Sequence, residues 1–542
     1  IVTGNEIVGT FSKSGTAGDI FLFETASGAS AGANSSMVIS NNNFSNITSF
    51  GTSRIAGFTY GMGQSCTITD NVLSNWTAGG NSGQGNLGIT VTAATIVNIS
   101  RNILSNFTNP FAFIGINNTG TGISAVLDSN LLSGITAVAS MTGLNYGGSH
   151  TIATISRNTL QNLTSTSSTI TAMQCSVNSG STTSSIFRNK IYGIQTNFSA
   201  GIVTGLRLGK GSTNNGPCTV HNNYIGDLKA PLGNADNMIR AIDFGSSSDA
   251  SDYNFYFNTV YLNATGAGGS FGTSILTTSV GTNFIRLDLR NNIFVNSSTP
   301  NGAGLTSVFR NIGLTPELYK TSTNSNVLYA GVPGSQRVIL YNSESIKDQT
   351  LSAFQARIYP ADVHSVSELP TFISTDGTSA DFLHINTSVA TRIESGGLQV
   401  AGITSDFDGV IRAGNMGYTG TGTLPDIGAD EGDFILVDVV GPRISYTPLV
   451  NTVSLTNTNL SNVSISDISN VEVSGGLKPR VYFKKKSQAN TYNDNTNATD
   501  GWKYVEANGT TSPFDFDLDY ALLNGGSPMV GDIIQYFVIA QD

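Results

Sequence analysis

Charge is scarce in this 542-residue chain: 11% of the residues are Asp, Glu, Lys or Arg, and the formal net charge is -10. A sparse surface of that sign gives no electrostatic reason to approach nucleic acid or an anionic membrane. The one basic cluster is Lys484, Lys485 and Lys486, so nucleic acid is not expected as a partner. Cysteine is nearly absent as well. Cys66, Cys175 and Cys218 cannot build a disulfide framework, although the arithmetic leaves room for one bridge. No apolar run reaches the roughly 18 residues of a membrane-spanning helix, and residues 1–20 lack the basic start and apolar centre of a signal peptide. The chain opens at Ile1 and closes on the strand-like YFVIAQD, which reads as a cut from a longer precursor carrying further domains. With 39% hydrophobic residues, the chain is too apolar for disorder.

What is present is a repeat. A block of the form apolar-x-x-Asn-x-apolar recurs as ISNNNFSNI, ITDNVLSNW, ISRNILSNF, LDSNLLSGI, ISRNTLQNL and similar segments. Its shared asparagines are Asn5, Asn42, Asn71, Asn102, Asn130, Asn158, Asn189, Asn223, Asn258, Asn292 and Asn326, spaced by 28 to 37 residues. Between them lie further short β-rich pieces such as GITVTAATIV and FIRLDL, and no long segment has apolar residues three and four apart. Helical-repeat and βα-repeat solenoids are thereby excluded. The period fits one turn of a β-helix, three short strands per coil, with coils stacked about 4.8 Å apart. The recurring Asn is expected to take the left-handed conformation at a corner and to bond its counterpart one coil away, forming an internal ladder. The uncharged Ser, Thr and Asn surface suits contact with polar polymers, and SGTAGDIFLFETASGASAG, TAGGNSGQGN and GLTPELYKTSTN are the candidate contact loops.

After Asn326 the pattern fades. Leu351, Phe354 and Ile358 predict a short helix against an end or side of the rod. Next come DFLHI, then D-x-D-G-x-x-R at Asp406, Asp408, Gly409 and Arg412, then PDIGADE at Pro425 to Glu431. These segments resemble the C-terminal end of right-handed parallel β-helix proteins of the pectin-lyase-like superfamily, especially the large secreted surface proteins of Bacteroidetes. The resemblance covers residues 1–435 and implies an all-β fold, a right-handed single-stranded parallel β-helix with a terminal cap region. That superfamily includes lyases, hydrolases, adhesins and inactive domains. Residues 438–542 carry NVSISDI, PRVYFKKK, GWKYVEA and FDFDLDY between turn residues, the pattern of an antiparallel β-sandwich with Tyr482 and Trp502 inward. They resemble the Ig-like or fibronectin-type spacer that follows such β-helices, in proteins exported by the type IX system.

Candidate chemistry is thin. Asp70 and Asp128 stand beside ladder positions, where corner or solvent-facing roles are expected, and His150, His221, His364 and His384 show no zinc spacing. Of these, His221 is expected to face solvent or cap a corner, and His384 to point away from the core. Arg101, Arg157 and Arg188 each precede a ladder Asn, a candidate basic stripe for an acidic glycan. Asp243, Asp249 and Asp252, with Arg240 and Lys229, form the best acidic cluster for calcium or a groove. Asp406, Asp408, Asp430 and Glu431 around Arg412 are expected to close the final coil over its exposed strand edges, with calcium as the one candidate cofactor. Cys66 and Cys218 occupy equivalent inward places. The leading expectation is a non-enzymatic secreted or cell-surface adhesin or structural rod with glycan as its candidate partner. The alternative is an extracellular polysaccharide lyase or glycoside hydrolase acting through residues 229–290, and the catalytic residues stay unassigned.

Overall fold

The computed structural model describes the chain except for residues 8, 15–17, 26–34, 80–84, 178–182, 211–215, 246–250, 279–284, 312–317, 439, 440, 468 and 469. It divides into two compact units, Ile1–Leu436 and Val437–Asp542.

The first unit is a right-handed parallel β-solenoid. Each coil contributes one strand to each of three sheets, as in Ser65–Thr69, Val72–Thr77 and Asn86–Val91. Among the described residues the first sheet has ten strands and the second and third twelve each. Register is held by columns of like residues. Ile39, Ile68, Ile99, Leu127, Ile155, Ile186, Val220, Phe255 and Leu289 stack one above another inside the first sheet. Because side chains alternate between faces, a slip of one residue would turn such a column to solvent. A second column runs from Cys66 through Val97, Ala125, Ala153 and Ser184 to Cys218, the equivalence the spacing predicted. All three cysteines are buried thiols outside any disulfide, and burial pushes the Cys66 thiol up to about 12.

The asparagine ladder is continuous. From Asn5 to Asn326 each side-chain Nδ2 donates to the Oδ1 of the next at 2.8 to 3.0 Å. That same Oδ1 also accepts the preceding coil's Asn backbone N–H, as Asn158 does from Asn130 at 3.1 Å. The corner itself differs from expectation. It is the residue before the ladder Asn that takes the left-handed conformation, with φ between 52° and 59° from Asn41 to Ser325, and it does so even as Arg101, Arg157 or Phe257. Left-handed backbone costs a non-glycine residue about 1–2 kcal/mol, and the doubly bonded Asn that follows offsets it by fixing the turn.

The solenoid end is closed by a hairpin and the predicted helix. Leu351–Ile358 is capped by Thr350, whose Oγ1 accepts from the Ala353 N–H, and it buries Phe354 and Ile358. Phe354 stacks on Phe309, 5.2 Å between ring centroids, and meets Tyr319 edge-on. The ladder ends here too: Asn326 donates to Asp362 Oδ1 (2.9 Å), and its backbone N–H to Ser365 Oγ (2.7 Å). Burial lifts the Asp362 carboxyl to about 6.

The chain then turns back. Residues 366–436 hold little regular structure, yet they run as a strap along the outer face of the second sheet, burying Phe382, Leu383, Ile385, Ile393 and Ile427 against Tyr192, Tyr224, Ile293, Val295 and Val327. The D-x-D-G-x-x-R and PDIGADE segments therefore do not close the last coil, as expected from sequence. They lie sideways across coils from Arg188 to Asn291.

The second unit has two three-stranded antiparallel sheets sharing one core, with Leu460, Val463 and Ile465 from one and Val481 and Phe483 from the other. Tyr482 and Trp502 are not in it. Alternation puts Tyr482 on the opposite face from Val481 and Phe483, where its ring stacks on Phe537 (5.4 Å) beside Tyr504 and Tyr492, and Trp502 meets Phe537 edge-on.

Candidate functional site

The outer face of the second sheet has two halves. In the coils of Asn42 to Asn158 no described residue covers it, and two polar rows run beside a third, largely apolar one of Asn43, Val72, Ile103, Leu131 and Thr159. Ser45, Ser74, Ser105 and Ser133 stand in one row, and Thr48, Thr77, Thr108, Thr136 and Thr164 in another. Between them Asn46, Asn75 and Asn106 take the left-handed conformation and form a second, exposed ladder: Asn106 donates to Asn75 at 3.2 Å, and Asn75 to Asn46 at 3.1 Å. Farther along, the same outward positions become Tyr192, Tyr261, Val295 and Tyr329, and there the strap sits. This change from Ser to Tyr and Val is the strap's signal in the sequence, lying outside the apolar-x-x-Asn-x-apolar repeat.

Each arginine of the stripe has a partner within the chain. Arg101 makes a two-point pair with Asp70 (2.7 and 2.8 Å), Arg157 binds Asp128 (2.8 Å), and Arg188 is taken by the strap through Asp406 O and Ser405 Oγ. Both aspartates thus fill corner roles. Asp243 and Asp252 do not converge. Asp243, in the third sheet, faces Arg240 and Arg207 at 3.3 and 3.7 Å, while Asp252, in the first, pairs with Arg286 and Lys320, both at 2.8 Å. Lys229 pairs with Asp227 (2.7 Å), and Asp249 lies outside the described residues. Parts of the three candidate loops, residues 15–17, 26–32, 80–84 and 313–317, do as well.

His150 is fully buried, between Ala94 O (3.1 Å) and the Tyr146 hydroxyl (3.3 Å), and burial lowers its pKa. His221 is half-buried. Its ring stacks on Phe187 at 4.8 Å, and burial, helped by the charges of Arg188 and Arg412, brings it down to about 4. His364 pairs with Asn324 at 3.0 Å.

Titratable groups concentrate under the strap. Arg412 is fully buried, its guanidinium 3.9 Å from the centre of the Phe257 ring. It donates to Glu431 Oε2 (2.9 Å), Asn222 Oδ1 (2.9 Å) and Gly428 O (2.8 Å), tying two strap segments to the solenoid corner. Glu431 and Asp426 are buried with it, and burial, then the Glu431 charge, push Asp426 up to about 8. Nearby, His384 does point away from the solenoid core, but into a cluster: its Nε2 meets Asp408 Oδ2 at 2.7 Å. The hydrogen bond to Asp408 raises its pKa to about 9 despite burial. With Asp430 these residues place three donor atoms within 4.8 Å of one another. The histidines' sequence spacing gave no hint of a zinc-type donor set, because the partners come from separate strap segments. Asp438, Asp467 and Asp542 form an all-carboxylate group in the second unit. A cavity of about 430 Å³ there, between Leu449 and Tyr536, has Asp532 in its lining, and that carboxylate pairs with Lys485 at 3.1 Å.

Among the described residues no helix is long and apolar enough to cross a membrane. Comparisons with protein-family models, with curated proteins and with solved structures find no match to the chain.

Proposed function

We propose that this protein is a non-enzymatic extracellular or cell-surface rod that adheres to polysaccharide through the uncovered half of its second sheet. The observation that carries the reading is that face: hydroxyl and amide rows repeating once per coil, about 4.8 Å apart, with no charged side chain in the Ser, Asn or Thr row. Such a surface offers donors and acceptors at equal steps to an extended neutral glycan and no cation to a uronic carboxylate. The enzyme alternative requires convergent acids and bases within residues 229–290, where Asp243 and Asp252 stand on different sheets with their charges already paired. The secreted location and the role of the second unit as an Ig-like spacer within a larger protein are supported by the resemblance to Bacteroidetes surface proteins.

The test is retention of the full chain on a panel of neutral and acidic polysaccharides, with reducing-end release and unsaturated products followed in parallel. Saturable retention on a neutral glycan without product is expected, and it should disappear in the combined T77K, T108K and T136K variant, whose side chains point outward. Product release, or retention indifferent to those lysines, would overturn the reading.

A further inference from the structure

We propose that His384, Asp408 and Asp430, backed by the hydroxyl of Tyr224, bind a divalent transition cation, with Zn²⁺ the ion best suited to the donor set, and that this ion pins the strap to the solenoid. The three donor atoms already lie within 4.8 Å of one another. One imidazole and two carboxylates favour zinc over calcium or magnesium, which take oxygen ligands in larger number.

Each ligand is held from behind. Asp430 accepts the Ile385 N–H at Oδ2 (2.8 Å), leaving its other oxygen for the site. The turn carrying Asp408 is clamped by Asp406, whose Oδ1 accepts from both Gly409 N and Val410 N at 2.8 Å and whose Oδ2 accepts from Glu431 N at 3.1 Å. His384 follows Leu383, a buried leucine held at φ 60°. Such outer contacts orient metal ligands and set their affinity.

An independent observation comes from the sheet beneath. Tyr224 is 1% exposed, yet its hydroxyl has no hydrogen-bond partner among the described residues. An unpaired buried hydroxyl costs about 1–3 kcal/mol, so one kept in place calls for a ligand. Tyr224 occupies the outward position of its strand, with its ring 5.4 Å from that of His384 and 4.4 Å from that of Phe407. Its charged neighbours, in order of effect, are Asp430, Asp408, Asp406 and Arg412. The phenol thus stands among the carboxylates, as a fourth ligand or as the partner of a bound water. Two carboxylates, Asp408 and Asp430, act on the one imidazole, while Arg412 is paired with Glu431 and acts on Asp406, and Lys190 acts on Asp408 from the side. Asp408, with 48% of its side chain exposed, provides the way in. On binding, Nε2 and Asp408 release the proton they share, and both then donate lone pairs to the cation.

The experiment is calorimetric titration of the chelator-treated full chain with Zn²⁺ alone, in two buffers of different ionisation enthalpy, repeated with Ca²⁺. A single saturable zinc site with proton release, and calcium binding at least about tenfold weaker, are expected. H384Q and D408N should each weaken zinc at least about tenfold, and Y224F less. Asp408 is half-exposed, so D408N keeps the fold and reports on ligation, and hydrogen exchange of residues 381–410 should slow on adding zinc to wild type but not to D408N. Absence of saturable zinc uptake by the wild-type chain, or uptake unchanged in both H384Q and D408N, would overturn the proposal.

Discussion

The two halves of the second sheet's outer face share a backbone, a register and an inner ladder, yet one is open to solvent and the other lies under the strap. The difference lies in the outward residues. Where Ser74, Asn75 and Thr77 point out, water satisfies the hydroxyls and amides and only the Val72, Ile103 and Leu131 row is left part-exposed; where Tyr192, Tyr224 and Ile293 point out, leaving them exposed would forgo about 1.5–3 kcal/mol each, and the strap covers them. The same scaffold is therefore a contact surface at one end and a platform for buried polar chemistry at the other. A solenoid can carry both because each coil's inner residues fix its fold independently of what its outer residues do.

The largest effect expected from breaking this contrast is at Arg412. R412A strands the buried Glu431 carboxylate and Asn222 amide and should destabilise the covered half by about 3–5 kcal/mol, whereas R101A, which removes an exposed pair on the uncovered half, should cost no more than about 1 kcal/mol. Denaturant unfolding of the two variants measures both. Loss of comparable size in the two would mean that the halves differ less in energetics than in appearance.

The ladder's end supplies a pH test. The Asp362 carboxyl sits at about 6 in the folded chain against an ordinary 3.8, so the folded state binds the proton more tightly than the unfolded one. Its contribution is complete below the unfolded value and is lost as pH rises through about 6, a change of about 3 kcal/mol between pH 3 and pH 8. Thermal melts across that window should show the fall, and D362N, neutral throughout, should remove the Asp362 share of it and leave the share of Asp426, which is raised to about 8. A wild-type profile unchanged by D362N would assign the pH dependence elsewhere.

A smaller difference separates the two ladders of the uncovered half. N158A removes the buried donor to Asn189 and the acceptor of two Asn130 groups and should cost about 1–3 kcal/mol, while N106A, on the solvent side, should stay within about 0.5 kcal/mol. Equal losses would mean that the outer ladder, too, holds the coils in register.

Much of the first unit was legible because the repeat is written coil by coil. The eleven asparagines, the equivalence of Cys66 and Cys218, and the helix from Leu351 all follow from local spacing and burial patterns. Propensity puts the left-handed residue at the Asn itself, while the observed corner is imposed by the ladder bonds on whatever residue precedes it. Size alone predicts Tyr482 and Trp502 inward, as large aromatics usually are. Strict alternation beside Val481 and Phe483 placed Tyr482 outside, where other rings cover it in part.

The sequence alone determined the solenoid, its period and its inner asparagine ladder, since each coil's contacts reach only to the next and leave a periodic imprint. Only the tertiary structure decided the strap's path and hence the meeting of His384, Asp408 and Asp430 over Tyr224, and of Arg412 with Asn222. Those contacts join segments up to 190 residues apart, with no period to announce them. They exist because an apolar outer face must be covered, and the chain that covers it brings its own charged residues along.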